Sequence, residues 1–239
     1  MLVLSIDTAT PVAGVALVDD HKTRFEATAN NGLNHSRNLM QNVDLVLREC
    51  SVSIKDLDAV AVTIGPGSFT GLRIGLATAK GLVLAANCAI IGIPTLDALA
   101  YSVSWAGGLI CTVLNARKGE VYGALYLGGK EYPVRISEYM AVSPEVMNRR
   151  CIDVLGDRSI DEVTFVGDGV PVLKIQPDDR YTFRFPPDPG ILSRASNGGR
   201  LAIKRLENGE KDDVFTLTPI YIRLSEAESR LEQQGGQEK

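Results

Sequence analysis

The sequence predicts a mixed α/β fold in which one pattern of elements is used twice. Three observations carry this. Residues 2–93 read in the order β-β-β-α-β-α-β, and a similar order begins again at Leu109. The run at 59–64 (AVAVTI) is continuously apolar and rich in β-branched residues, as a strand buried on both faces must be. The 239 residues suffice for one large domain or two small ones.

Taken in order, residues 2–6 are a short apolar run that stops at the turn-rich Asp7-Thr8-Ala9-Thr10-Pro11. Residues 12–18 form a second strand closed by Asp19-Asp20, and residues 24–29 a third. Short links between the three predict an antiparallel meander. Asn34-His35-Ser36 opens a helix, with Leu39, Val43, Val46 and Leu47 at helical spacing to about Cys50. The strand at 59–64 leads into GPGSFTGLRIGLATAKGL (65–82), a loop and a helix, and then a strand at 89–93 ended by Pro94.

In the second half, residues 109–114 form a strand stopping at Asn115-Ala116-Arg117. A second follows at 119–127, Gly128-Gly129 turns the chain, and 132–137 is a third. Ser143-Pro144-Glu145 opens a helix with proline at its first position. A strand at 163–166 ends in Gly167-Asp168-Gly169, and a late helix covers 191–206. From about Glu226 the chain is polar and charged, which predicts a frayed tail.

Composition narrows the function. At 45% hydrophobic and 23% charged, the chain reads as an ordinary soluble globular protein. A net charge of −4 and a pI of about 5.3 argue against a stand-alone nucleic-acid binder, which would carry a basic field. No uninterrupted apolar run reaches the roughly 18–20 residues of a membrane span. The start, MLVLSIDTAT, lacks a basic n-region, so no signal peptide is expected. Four cysteines lie far apart without a CxxC pair and are expected to be reduced core thiols.

The glycine-rich stretch resembles a phosphate loop but lacks its lysine. Gly71 is followed by Leu72 and Arg73, and the next lysine is Lys80. Asp7, Thr8 and Thr10 follow a buried-type strand. Small polar residues there face a metal-bound phosphate or cap their own backbone, and the sequence leaves both open. His35 has Leu39 four positions on, so the helical pair of metal-binding histidines is absent, and His21 sits in a hairpin turn. Ser68 has no GxSxG around it, and Arg117-Lys118 and Arg149-Arg150 read as isolated solvated pairs.

On a helical wheel, Gly71, Gly75, Ala79 and Leu82 share one face. Leu72, Leu76 and Val83 flank it, and Ile74, Ala77, Gly81, Leu84 and Ala85 cover the opposite flank. Only Arg73 and Lys80 form a polar edge. The Gly71-x-x-x-Gly75-x-x-x-Ala79 spacing admits another helix at close range, from a partner or from the same chain.

IDTAT, GPGSFTGLRIG, NARKGEVYGALY, VGDG and PIYIRLSEAE together resemble the TsaB (YeaZ) family of tRNA threonylcarbamoyladenosine biosynthesis. The likeness runs over residues 1–228, and GPGSFTGLRIG is its most specific block. It implies two RNase H-like lobes of the actin-like ATPase (ASKHA) superfamily, with mixed sheets flanked by helices. The implied division is a first lobe at 1–100 carrying the docking helices, a smaller second lobe at 101–225 whose late helix returns toward the first, and a flexible tail at 226–239.

It further implies a non-catalytic, cytoplasmic subunit that binds and activates TsaD through first-lobe helices. The implied interface is His35, Leu39, Gly71, Leu72, Ile74, Gly75, Thr78, Ala79 and Leu82. TsaE joins the complex, a TsaC-type enzyme acts upstream, and tRNA is met only through the complex. A homodimer through the same surface is the competing assembly. No metal and no cofactor is expected on this chain alone, with ATP entering at the level of the complex. Any nucleotide contact would fall to Asp7, Thr8 and Thr10. Where family members often have Asp in the second-half turn, this chain has Asn115. The alternative reading is a self-associating ATPase-like protein or a glycoprotease-type peptidase.

Overall fold

The computed structural model describes residues 1–30, 35–175, 178–186 and 194–223, without the side chains of residues 35–37 and 117. The first half holds β1 (Leu2–Asp7), β2 (Ala13–Asp19), β3 (Thr23–Ala29), α1 (His35–Glu49), β4 (Ala59–Gly65), α2 (Phe69–Ala86), β5 (Ala89–Pro94) and α3 (Thr95–Tyr101). The second holds β6 (Leu109–Arg117), β7 (Glu120–Leu127), β8 (Val134–Arg135), β9 (Met140–Val142), α4 (Pro144–Asp157), β10 (Glu162–Val166), α5 (Val170–Leu173), β11 (Thr182–Arg184) and α6 (Ala195–Glu207).

The strands make two sheets on one plan. The first has the order β3-β2-β1-β4-β5, with β1–β2 and β2–β3 antiparallel and β1–β4 and β4–β5 parallel. The second runs β8-β7-β6-β10-β11, with β9 also on β7 and the same alternation of directions. The predicted recurrence is therefore present, and each sheet has the RNase H-like order.

Alternation along the strands sends side chains to two faces of the first sheet. Leu4, Ile6, Val15 and Leu17 meet α1 (Leu39, Val43, Val46) and α2 (Leu76, Ala79, Leu82, Val83). Val3, Ala16, Val18, Ile91 and Ile93 meet Ala195, Ala202 and Ile203 of α6 on the other face. The last helix of each half crosses over. Leu96, Leu99 and Ala100 of α3 pack with Ile110, Leu114 and Tyr126 of the second sheet, while α6 lies across β1 and β2.

Several local expectations shift. α3 was not predicted, because Pro94 read as a stop; it occupies the N-cap, where a proline starts a helix as readily as it ends a strand. β6 runs through the expected stop to Arg117, since Lys118 and Gly119 (φ 53° and 77°) close a two-residue hairpin. The strand expected at 132–137 shrinks to β8, and a further short strand, β9, follows it. Between them the Ser137 hydroxyl accepts the Leu125 N–H at 2.8 Å, and Tyr139 turns inward to Asp97, so the ladder breaks. The late helix begins at Ala195; residues 191–193 and the tail expected at 226–239 lie outside the described residues.

α2, with 18 residues and a mean hydropathy of 1.3, is long and apolar enough to cross a membrane by length and composition. Counting uninterrupted runs missed it, because Arg73 and Lys80 break the run. Its packing is that of a core helix, with Leu72, Leu76, Ala79, Leu82 and Val83 driven into the first sheet. All four cysteines are thiols; Cys111 and Cys151 are buried, and burial pushes the Cys111 thiol well up.

Candidate functional site

The turn after β1 meets the start of α2 in a knot of hydrogen bonds. Asp7 Oδ1 accepts the Ala9 N–H (3.0 Å) and the Thr63 hydroxyl (2.9 Å). Thr8 Oγ1 donates to the Gly71 carbonyl at 2.8 Å. Thr10 Oγ1 accepts the Val12 N–H (3.3 Å) and donates to the Val12 carbonyl (3.2 Å). Ser68 donates its N–H to the Ala9 carbonyl (2.7 Å), and its hydroxyl accepts the Gly71 N–H as the N-cap of α2 (3.2 Å). Asp7, Thr8 and Thr10 are all buried. Asp7 Oδ1 and Thr10 Oγ1 cap the backbone of their own turn, while Thr8 reaches across to α2 and Asp7 Oδ1 also meets Thr63 of β4.

The glycines of α2 belong to the same knot. A Cβ on Gly71 would stand 2.1 Å from the Thr8 carbonyl oxygen, and one on Gly75 would stand 2.2 Å from Thr8 Oγ1. The close approach read from their spacing is real, but the β1–β2 turn makes it, and no partner helix is needed. Gly71, Leu72, Gly75, Ala79 and Leu82 are buried inside this chain, and so is Leu39 on α1. Placing the docking face on them is therefore corrected. Ile74 and Thr78 are half-buried at its margin, and the His35 side chain lies outside the described residues. In GPGSFTG, Gly65 takes φ +115°, and the loop is a tight strand-to-helix turn.

The surface of α2 that faces outward is the opposite side of the wheel: Phe69, Thr70, Arg73, Ala77, Gly81, Leu84 and Ala85. Leu84 is 61% exposed, and Met40 on the neighbouring α1 is 52% exposed. Ala77, Gly81, Leu84 and Ala85 share one exposed side of α2, and a continuous exposed apolar face of this kind marks a contact surface. Arg73 and Lys80 were the legible signal, since a polar edge on an otherwise apolar helix points to water.

A strap after α6 runs along this region. Asp212 is paired to β5 through Gly92 N–H (2.7 Å) and the Ile90 carbonyl (3.0 Å). Ile220 donates its N–H to the Ile64 carbonyl (2.7 Å). Tyr221 lies against Phe69, with ring centroids 5.1 Å apart. Arg223 then reaches the β6–β7 hairpin, pairing with Glu120 at 2.7 Å.

In the second lobe, Asn115 is exposed, and its N–H donates to Asp168 Oδ1 at 3.0 Å; burial raises the Asp168 carboxyl. Asp97 accepts the hydroxyls of Tyr126 (2.7 Å) and Tyr139 (2.8 Å), and burial raises its carboxyl too. Sequence patterns gave no sign of this trio, which forms only when α3 crosses to the second sheet. Among the described residues, no three His, Cys, Asp or Glu side chains gather closely enough to hold a metal ion.

Comparison with known proteins points one way. A family model described as TsaD, tRNA N6-adenosine threonylcarbamoyltransferase, matches residues 29–183. The chain is 30% identical over 234 residues to the tRNA threonylcarbamoyladenosine biosynthesis protein TsaB of Bacillus subtilis, covering 96% of this chain and 97% of that one. It is 35% identical over 162 residues to TsaB of Escherichia coli, covering 66% and 69%. Among solved structures, YeaZ from Pseudomonas aeruginosa superposes with a TM-score of 0.77 at 23% identity, over 92% of this chain and 99% of that one, a likeness of fold.

Proposed function

Since the chain belongs to the TsaB (YeaZ) family, and so to tRNA threonylcarbamoyladenosine biosynthesis, we propose that it is the non-catalytic subunit that binds and activates TsaD. The observation that carries this reading is the exposed, largely apolar outer face of α2, with Ala77, Leu84 and Ala85 turned away from their own core and Met40 exposed on the neighbouring α1. A helix that spends one face on its sheet and leaves the other apolar fits a partner helix laid across it.

The chemistry of the residues supports the non-catalytic half. α1 carries Leu39 one turn after His35, and Leu39 is core. The loop before α2 has no phosphate-clamping lysine, and its polar groups are used in the turn. On this reading the chain works by binding one conformation of TsaD better than another; tight binding without that difference would shift nothing. TsaE joins the complex, a TsaC-type enzyme supplies the activated threonylcarbamoyl group, tRNA is met through the complex, and the setting is cytoplasmic.

Leu84→Asp tests it. A carboxylate there sits on an exposed position and should leave the melting temperature of the chain within a few degrees. Binding to TsaD, measured by calorimetry, should fall below detection. Unchanged affinity in a folded variant would remove α2 from the interface.

A further inference from the structure

The outer face of α2 carries one cation whose orientation is fixed. Arg73 lays its guanidinium over the Phe69 ring, 3.8 Å from the centroid, and stands 5.9 Å from that of Tyr221. Its Nε donates to the Tyr221 hydroxyl at 3.0 Å. Phe69 comes from the first turn of α2, and Tyr221 from the strap that returns after α6, 148 residues further along than Arg73. An arginine needed only for solubility gains nothing from being stacked on one aromatic ring and hydrogen-bonded to the hydroxyl of the ring beside it. Among the described residues it makes no ion pair, and α2 has no Asp or Glu along its whole length. Lys80, the other cation of the helix, is turned to the Phe215 carbonyl at 3.4 Å. With Nε bound and one face of the plane stacked, the two terminal nitrogens remain to point outward as a fork.

We propose that Arg73, stacked on Phe69 and hydrogen-bonded to the Tyr221 hydroxyl, reads a carboxylate of the protein that docks on α1 and α2, and that the strap is part of that interface. This rests on the docking of TsaD proposed above and adds the chemistry of the recognition. The argument for a carboxylate is one of charge and shape. On the outer face of α2 this fixed fork is the charged group among Phe69, Ala77, Gly81, Leu84 and Ala85, and a planar guanidinium matches a carboxylate through two parallel N–H bonds. An apolar partner with no anion would leave the cation desolvated and unpaired, which opposes docking. The two rings hold the guanidinium in place before the partner arrives, so less rotamer freedom is lost on binding.

Calorimetric titration with TsaD at several salt concentrations tests this on the full chain. Arg73→Gln should weaken binding about 10- to 100-fold and flatten its salt dependence, with the melting temperature unchanged. Arg73→Lys keeps the charge but neither stack nor fork, and should recover only a small part. Tyr221→Phe keeps the ring but removes the acceptor for Nε. It should cost several-fold in the parent chain and nothing in the Arg73→Gln background, which a merely structural tyrosine would not do. Leu84→Asp serves as the control for docking. If it abolishes binding while Arg73→Gln leaves affinity and salt slope intact, the carboxylate reading is wrong and the docking face stands. If Leu84→Asp also changes nothing, the docking face itself is wrong. If Arg73→Gln weakens tRNA retention by the complex without weakening TsaD, the fork reads phosphate, and the proposal is overturned.

Discussion

Asp19 shows how a single side chain closes the β2–β3 hairpin. Its Oδ1 accepts the N–H groups of His21 and Lys22, both at 2.9 Å, and its Oδ2 accepts Arg24 Nε at 2.7 Å. The Arg24 guanidinium and these two N–H bonds hold its carboxyl well below the usual carboxylate range. A carboxyl whose pKa is lowered by folding stabilises the fold at any pH above its unfolded value near 4, and that contribution fades as pH falls below it. Asp19→Asn should therefore destabilise the chain at pH 7 by about 1 kcal/mol, a modest figure because Arg24 is 40% exposed and solvent screens the pair. The gap between parent and variant should begin to narrow as pH falls below about 4 and close only once the lowered folded-state value is passed, read by thermal melting down the acid range. A gap of constant size would mean that the charge of Asp19 contributes nothing. The turn was legible as a turn from Asp19-Asp20, whereas the reach of Asp19 to Arg24 depends on a pairing that only the folded hairpin creates.

At the scale of the element, α2 separates two glycine roles that look alike in sequence. Gly75 is pressed against Thr8, while a Cβ on Gly81 would meet nothing within 4 Å. Gly75→Leu should destabilise the isolated chain by about 1–3 kcal/mol or more through overpacking. Gly81→Ala should stabilise it by roughly 0.5–1 kcal/mol, since alanine is the better helix former and the space is open. Denaturant unfolding of both variants measures the difference, and equal effects at the two positions would contradict the packing. The helices and strands themselves were readable because their periods of 3.6 and 2 are written in hydropathy. Which neighbour presses on Gly71 and Gly75 was not, because glycine has no hydropathy and the wheel cannot say what fills the groove. The strap was silent for a related reason: it is fixed by backbone bonds, such as Ile220 N–H to the Ile64 carbonyl, which carry no residue pattern.

At the scale of the molecule, two sheets of one plan are held together by exchanged helices and by the strap. α3 sits on the second sheet, α6 on the first, and Arg223 pairs with Glu120 across to the β6–β7 hairpin. The repeat was legible as an order of elements; the return of the late helix came only from the family resemblance, and the crossing of α3 was not legible at all, since a helix of apolar stripe fits either sheet equally well on paper. This architecture leaves the α1–α2 face outward, next to the end of the strap, where docking can bear on the whole chain. The account's central claim is that the chain acts on TsaD by conformation and supplies no reacting group. The direct measurement is threonylcarbamoyl transfer to tRNA, with threonylcarbamoyl-adenylate supplied, as this chain is titrated into a fixed amount of TsaD. The account predicts no transfer by the chain alone and a rate that climbs to a plateau as TsaD becomes saturated. It also predicts that Asp7→Asn, where it preserves stability and TsaD affinity, leaves the plateau within a few-fold. Transfer by the chain alone, or a plateau lowered by orders of magnitude in a stable and fully binding Asp7→Asn variant, would contradict it.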